Sequence, residues 1–190
     1  LSAGDFKHVR AVTISVIFAT LQAWIWALTN FALGYGWLAV EFVVIGVLFA
    51  MALIPIQRGF VTVGAIIFFF VAFIQIGFSQ YFFGYISGSW VYLAVLIVVA
   101  FLVFPRRQLA LSVLCATISA FILVAVTFWQ DSFPVRFITT DPALSTVLNI
   151  ATLCLLLGVL SAVFVRAVNK SEDALAEAHR RSDELLLNAI

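Results

Sequence analysis

Long apolar runs separated by short polar breaks set the pattern of this chain. A helix needs roughly 20 apolar residues to cross about 30 Å of hydrocarbon at about 1.5 Å per residue. Six runs answer to that rule: Val12–Phe31, Trp37–Pro55, Phe60–Ser79, Trp90–Phe104, Leu109–Trp129 and Ala143–Val165, the fourth being the shortest. The breaks carry loop chemistry, at Gly34-Tyr35-Gly36, Gln57-Arg58-Gly59, Gly84 to Ser89, Pro105-Arg106-Arg107 and Gln130 to Pro142. A lipid-embedded β-barrel requires alternating polar residues, and these continuous runs have none. The expected fold is therefore all-α, a polytopic membrane protein built as a six-transmembrane-helix bundle. The first run follows Lys7 and Arg10, as a signal peptide would. It exceeds an h-region of about 7–15 residues and no small-residue cleavage site follows, so it reads as a retained helix.

Composition agrees with the pattern. Of 190 residues 65% are hydrophobic and 10% charged, against about 45–50% and about 25% in a soluble domain. So few charges would not keep a monomer in water, which leaves membrane lipid as the solvent. A formal net charge of +1 lacks the basic face of a nucleic-acid binder. Cys115 and Cys154 lie singly inside apolar runs and form no metal-site pattern. Beginning at Leu1 rather than Met and ending within a helical pattern, the chain reads as an excised fragment.

Charge placement gives the orientation. With six spans, Lys7, Arg10, Arg58, Arg106, Arg107, Arg166, Lys170, Arg180 and Arg181 share one side, and only Arg136 falls on the other. The positive-inside rule puts that basic side, and both termini, in the cytoplasm of a plasma (inner) membrane protein. Three segments follow: a cytoplasmic N-terminal segment, 1–11, a six-helix transmembrane domain, 12–165, and a cytoplasmic signalling helix, 166–190.

No Gly or Pro interrupts 159–190, so the sixth helix is expected to run on beyond the membrane. A 4-3 spacing of small and apolar residues passes through Phe164, Val168, Ser171, Leu175, Ala178, Ser182, Leu185 and Ala189. That seam suits a parallel coiled coil weakened by Ser171 and Ser182, and Glu177 with Arg181 adds a favourable i, i+4 pair. A single solvated juxtamembrane helix is the alternative. In the coiled-coil reading the dimer and transmission positions are Gly158, Ala162, Val168, Leu175, Ser182 and Leu185. A marginal seam permits two registers, as a transmitter needs.

The end of that helix, His179-Arg180-Arg181-Ser182-Asp183-Glu184-Leu185-Leu186-Leu187-Asn188-Ala189-Ile190, resembles the segment upstream of the catalytic domain in bacterial class III adenylate cyclases. There a helix of the type Arg-Ser-(Asp/Glu)-x-Leu-Leu-x-Asn leads into the cyclase fold. Ala189 stands where that family usually has a larger aliphatic residue. Six spans with short loops and a basic cytoplasmic side are similar to the membrane anchors of one branch of those enzymes. The resemblance implies a homodimer whose absent catalytic domains convert ATP to cyclic AMP with Mg²⁺ or Mn²⁺. None of the family's catalytic positions lies in this chain, so no cofactor is expected within it.

The remaining candidates are polar residues that lipid makes costly. Glu41 is the only ionisable side chain well inside a run, four residues past Trp37 and so roughly 6 Å below the outer interface. A charge at the bilayer centre costs about 2.5–3.5 kcal/mol on insertion scales. Glu41 therefore needs a partner, a cavity, a cation or a proton, unless it snorkels to headgroup water. Gln75 and Asn149 fall in the same outer half, with Asp131 and Asp141 beyond them. Together these residues are a candidate outward-facing site for a small ligand, a lipid or a divalent cation. Hydrogen bonding of Gln75 and Asn149 across helix interfaces is the equally weighted alternative. Gln22 is the polar exception near mid-membrane. Trp37, Trp90, Trp129, Tyr81, Tyr85 and Tyr92 gather at the outer boundary, where an anchoring belt is expected. Small-xxx-small stripes at Ser112, Ala116 and Ala120, and at Gly158 and Ala162, predict close helix approach, within or between subunits.

Other membrane functions fit less well. Neither lysine, Lys7 or Lys170, lies in a span to hold retinal, and neither histidine, His8 or His179, lies in the bundle to hold haem. His179 lacks the flanking Glu, Arg and Pro of a kinase phosphoacceptor. A small transporter or channel would show paired intramembrane charges or helices broken near mid-span. The same sensor joined to a diguanylate cyclase differs only in residues after Ile190.

Overall fold

The computed structural model describes residues 3–83 and 88–128 and ten further positions between 147 and 166. Among the described residues the chain is helical, with no strand. The helices are α1, Ala3–Ala32, α2, Gly36–Met51, α3, Leu53–Gln57, α4, Val61–Phe83, α5, Val91–Val103, and α6, Leu109–Phe128, the last preceded by a 3₁₀ turn at Arg106–Gln108. Each described position from Val147 to Arg166 is helical as well. Among the described residues four stretches are long and apolar enough to cross a membrane: His8–Ala32, Gly36–Gln57, Val61–Phe83 and Leu109–Phe128. α5 is equally apolar but has 13 residues. The tail 167–190, and with it the coiled-coil expectation, lies outside the described residues.

Two helix ends are shaped by glycine. At Gly34, φ +85°, Tyr35 N–H donates to Asn30 O at 2.8 Å and Gly34 N–H to Phe31 O at 3.0 Å. Gly59, φ +87°, repeats the arrangement, with Phe60 N–H on Pro55 O at 2.8 Å and its own N–H on Ile56 O at 3.0 Å. This double bond pattern closes a helix only where C′ is left-handed, which glycine adopts without a Cβ penalty. The chain reverses at both points, into α2 and into α4.

The second apolar run differs from its expected form. It is broken at Ala52 into α2 and α3 and continues past Pro55 to Gln57. Pro55 lacks an N–H and its ring crowds the carbonyl four residues back, at Met51, so the ladder is interrupted there. Pro55 itself sits in the first turn of α3, where a missing N–H costs nothing.

Packing centres on α5. Leu93, Val95, Leu96, Val99, Ala100 and Val103 are all buried, and α5 contacts α1, α4 and α6. A ladder of rings, Phe49–Phe68–Phe69–Phe104, extends that core at centroid spacings of 5.8, 5.4 and 5.8 Å. Of the Phe68-Phe69-Phe70 triplet the first two rings are buried, and Phe70 is 65% exposed. Phe31 at 72%, Leu28 at 71% and Phe121 at 71% also point outward. Large apolar side chains covering the outside are what lipid, not water, selects. The chain is a membrane protein.

Glycine also sets two close helix approaches. A Cβ on Gly46 of α2 would collide with the Trp24 side chain of α1, and one on Gly64 of α4 would lie 2.8 Å from Ala52 O. The stripe on α6 points inward: Ser112 and Ala116 are buried, as is Ser119, while α6 packs on α5. Gly158 and Ala162 are exposed, and a Cβ on Gly158 would meet nothing within 4 Å.

Candidate functional site

Antiparallel packing gives the bundle two ends. At one, His8 of α1 donates from Nδ1 to Leu102 O of α5 at 2.9 Å, capturing a carbonyl in the last turn of that helix. Thr62 of α4 and Gln108 of the 3₁₀ turn exchange bonds at 2.7 and 3.0 Å. Arg58 and Arg107 belong to the same end. This basic end is cross-tied by polar contacts between segments.

Toward the opposite end the polar side chains are more numerous and less satisfied. Trp26 stacks on Phe42 at 6.3 Å and Trp37 tilts against Phe82 at 5.4 Å, fixing α1, α2 and α4 against one another at this end. Between them sits Glu41, half-buried on α2, one turn past buried Leu38 and one before buried Ile45. Both its carboxylate oxygens are shielded from solvent and have no hydrogen-bond partner among the described residues. Three amide oxygens share that condition: Asn30 Oδ1, Gln75 Oε1 and Gln80 Oε1. Their nitrogens are engaged. Asn30 donates to Trp26 O at 2.8 Å, Gln80 to Ser89 Oγ at 2.7 Å, and Gln75 to Ser79 Oγ at 3.5 Å, the limit for such a bond. What this half leaves open is acceptor chemistry, suited to a cation or to a ligand rich in N–H or O–H groups.

Asn149 belongs to a different cluster. It is 5% exposed and accepts at Oδ1 from the Tyr92 hydroxyl at 2.9 Å. That hydroxyl in turn accepts from Gln22 Nε2. Three helical segments meet there, in α1, in α5 and at Asn149. No hydrogen bond joins Glu41 to Gln75 or to Asn149 among the described residues. Asp131 and Asp141 lie outside the described residues, as do Val168, Leu175, Ser182 and Leu185. Among the described residues no group of three His, Cys, Asp or Glu is placed to hold a metal ion.

Sequence reasoning passed over Tyr92, assigning it to the interfacial belt. Its clue was the pairing of a hydroxyl in the first turn of α5 with the isolated mid-membrane amide of Gln22, both needing a partner in lipid. Asn30 and Gln80, each 2% exposed, are further buried amides of this half, and their only signal in the sequence is an amide within or beside an apolar run.

Comparison with known proteins gives one family. The model for MASE7, a membrane-associated sensor domain found in signalling proteins, matches residues 4–179. No curated protein and no solved structure matches the chain.

Proposed function

The chain belongs to the MASE7 family of membrane-associated sensor domains, and from that premise we propose that it is the six-helix anchor and receptor of a homodimeric class III adenylate cyclase. In this reading α5 and the 143–165 run complete six spans, both termini face the cytoplasm of the plasma membrane, and 166–190 pairs with its copy as a coiled coil. ATP and Mg²⁺ or Mn²⁺ belong to a catalytic domain beyond Ile190. What supports the reading is that a sensor-domain family match over residues 4–179 is followed by the His179–Ile190 stretch, which resembles the lead-in helix of those cyclases.

The input is proposed to arrive in the outer half, at the open acceptors of Glu41 and Gln75, with Asp131 and Asp141, outside the described residues, proposed to complete the site. A cation, a lipid headgroup amine or another donor-rich small molecule meets that chemistry.

Expression of the intact protein in a bacterium lacking its own adenylate cyclase tests the output. Cyclic AMP is expected to accumulate, and to fall when residues 166–182 are replaced by a flexible Gly-Ser linker. Accumulation of cyclic di-GMP instead would move the same sensor onto a diguanylate cyclase. For the input, Glu41→Gln should abolish stabilisation of the purified domain by divalent ions or amines; unchanged stabilisation would remove Glu41 from the site.

A further inference from the structure

The Gln22–Tyr92–Asn149 contact carries more than packing. A phenol has one proton to give. Because Tyr92 Oη donates to Asn149 Oδ1 at 2.9 Å, it meets Gln22 as an acceptor, and Gln22 Nε2 is the donor. The chain of bonds is directional, from α1 through α5 to Asn149. The Tyr92 ring packs against the hydrophobic core, so its hydroxyl is held by α5. Of the ten described positions between 147 and 166, Asn149 is the buried one and the other nine are exposed. Among the described residues, then, that helix enters the bundle at the point where Tyr92 holds it.

We propose that Tyr92 is a positioning residue: its hydroxyl is the joint through which α1 and α5 set the placement of the helical segment that carries Asn149. A shift of α1 against α5 breaks one bond of the joint or drags Asn149 with it, because lipid offers no replacement partner. Two placements of the helix follow, one with the joint made and one with it broken. The proposal rests on the reading of this helix as the output of the sensor, and the test separates the two.

Spin labels on native Cys154, which is exposed, and on Val44→Cys, at an exposed position of α2, report the placement by electron–electron distance. The chain carries Cys115→Ser, sits in lipid nanodiscs and is diluted with unlabelled copies. Tyr92→Phe keeps the ring and removes both bonds. It is expected to shift the ratio of two distance populations by about threefold, the effect of one typical interhelical bond in a membrane. Asn149→Leu should move the populations in the same direction, and its combination with Tyr92→Phe should fall short of the sum of the two. Gln22→Met, which removes the donor and keeps the bulk, should move the populations in the same direction. A Tyr92→Phe distribution that superimposes on the unmodified one overturns the joint, as does an additive double variant. If the distances change as expected while second-messenger output of the intact protein stays constant, the joint stands and the assignment of this helix as output fails.

Discussion

The two ends of the bundle solve the same problem in opposite ways. At the basic end, His8 caps α5 and Thr62 and Gln108 satisfy each other, while Gly64 lets α4 press on the α2–α3 break. At the other end, Asn30, Glu41, Gln75 and Gln80 keep shielded oxygens without partners, against Ser15 Oγ alone in the basic half of the described residues. A hydrogen bond contributes modestly when made and costs heavily when a buried group is left without it. One end is thus built for stability. The other retains unmet polar demand, which is how a protein holds a place for something it does not itself supply.

That contrast can be broken most forcefully at Gly64. Gly64→Leu drives a side chain into Ala52 O and Ile56 and should cost about 3 kcal/mol, the upper part of the overpacking range. The check is the unfolding midpoint in a mixed-detergent titration. Next in size is Glu41→Leu, expected to act with the opposite sign. Removing two unpartnered oxygens should stabilise the domain by roughly 1–3 kcal/mol while abolishing its response to the input, a gain in stability bought with function. A loss of stability in the same titration would mean that Glu41 is already paired. The smallest effect belongs to Gln108→Leu. It breaks the exchange with Thr62 and should cost about 0.6 kcal/mol, resolvable by a double-mutant cycle with Thr62→Val. A coupling near zero there would erase the distinction between the ends.

Much of this architecture was open to reading. Run length alone located α4, α6 and the far end of α1 to within a few residues, because lipid imposes one length and one secondary structure on whatever crosses it; α1 begins nine residues before its run, at Ala3. Gly34 and Gly59 marked the turns for a local reason, a left-handed residue at a helix terminus. The break at Ala52 was harder to see. Pro55 was visible, but where the strain emerges depends on the carbonyl one turn earlier and on Gly64 pressing from another helix. Rotation about the helix axis was the larger gap. Runs that are apolar on every side carry no moment to say which face turns inward. Ser112 and Ala116 were therefore recognised as a close-packing stripe without their partner, α5. For the same reason Glu41, Gln75 and Asn149 were grouped by depth, whereas the bond network takes Asn149 to Tyr92 and Gln22. Depth follows from counting residues along the chain. Azimuth requires the neighbours.

The 13 residues of α5 span about 20 Å, some 10 Å short of an ordinary hydrocarbon slab. Its neighbours are longer, α1 by 17 residues, so the bundle carries a short post among taller neighbours, with Val98 and Phe101 on its exposed face. Hydrophobic mismatch is met by thinning, tilting or bending of whatever is free to move, at fractions of a kcal/mol per Å. Here the post is enclosed on several sides, leaving the adjustment to the surrounding helices. Acyl-chain length should accordingly tune this domain in the absence of any other stimulus.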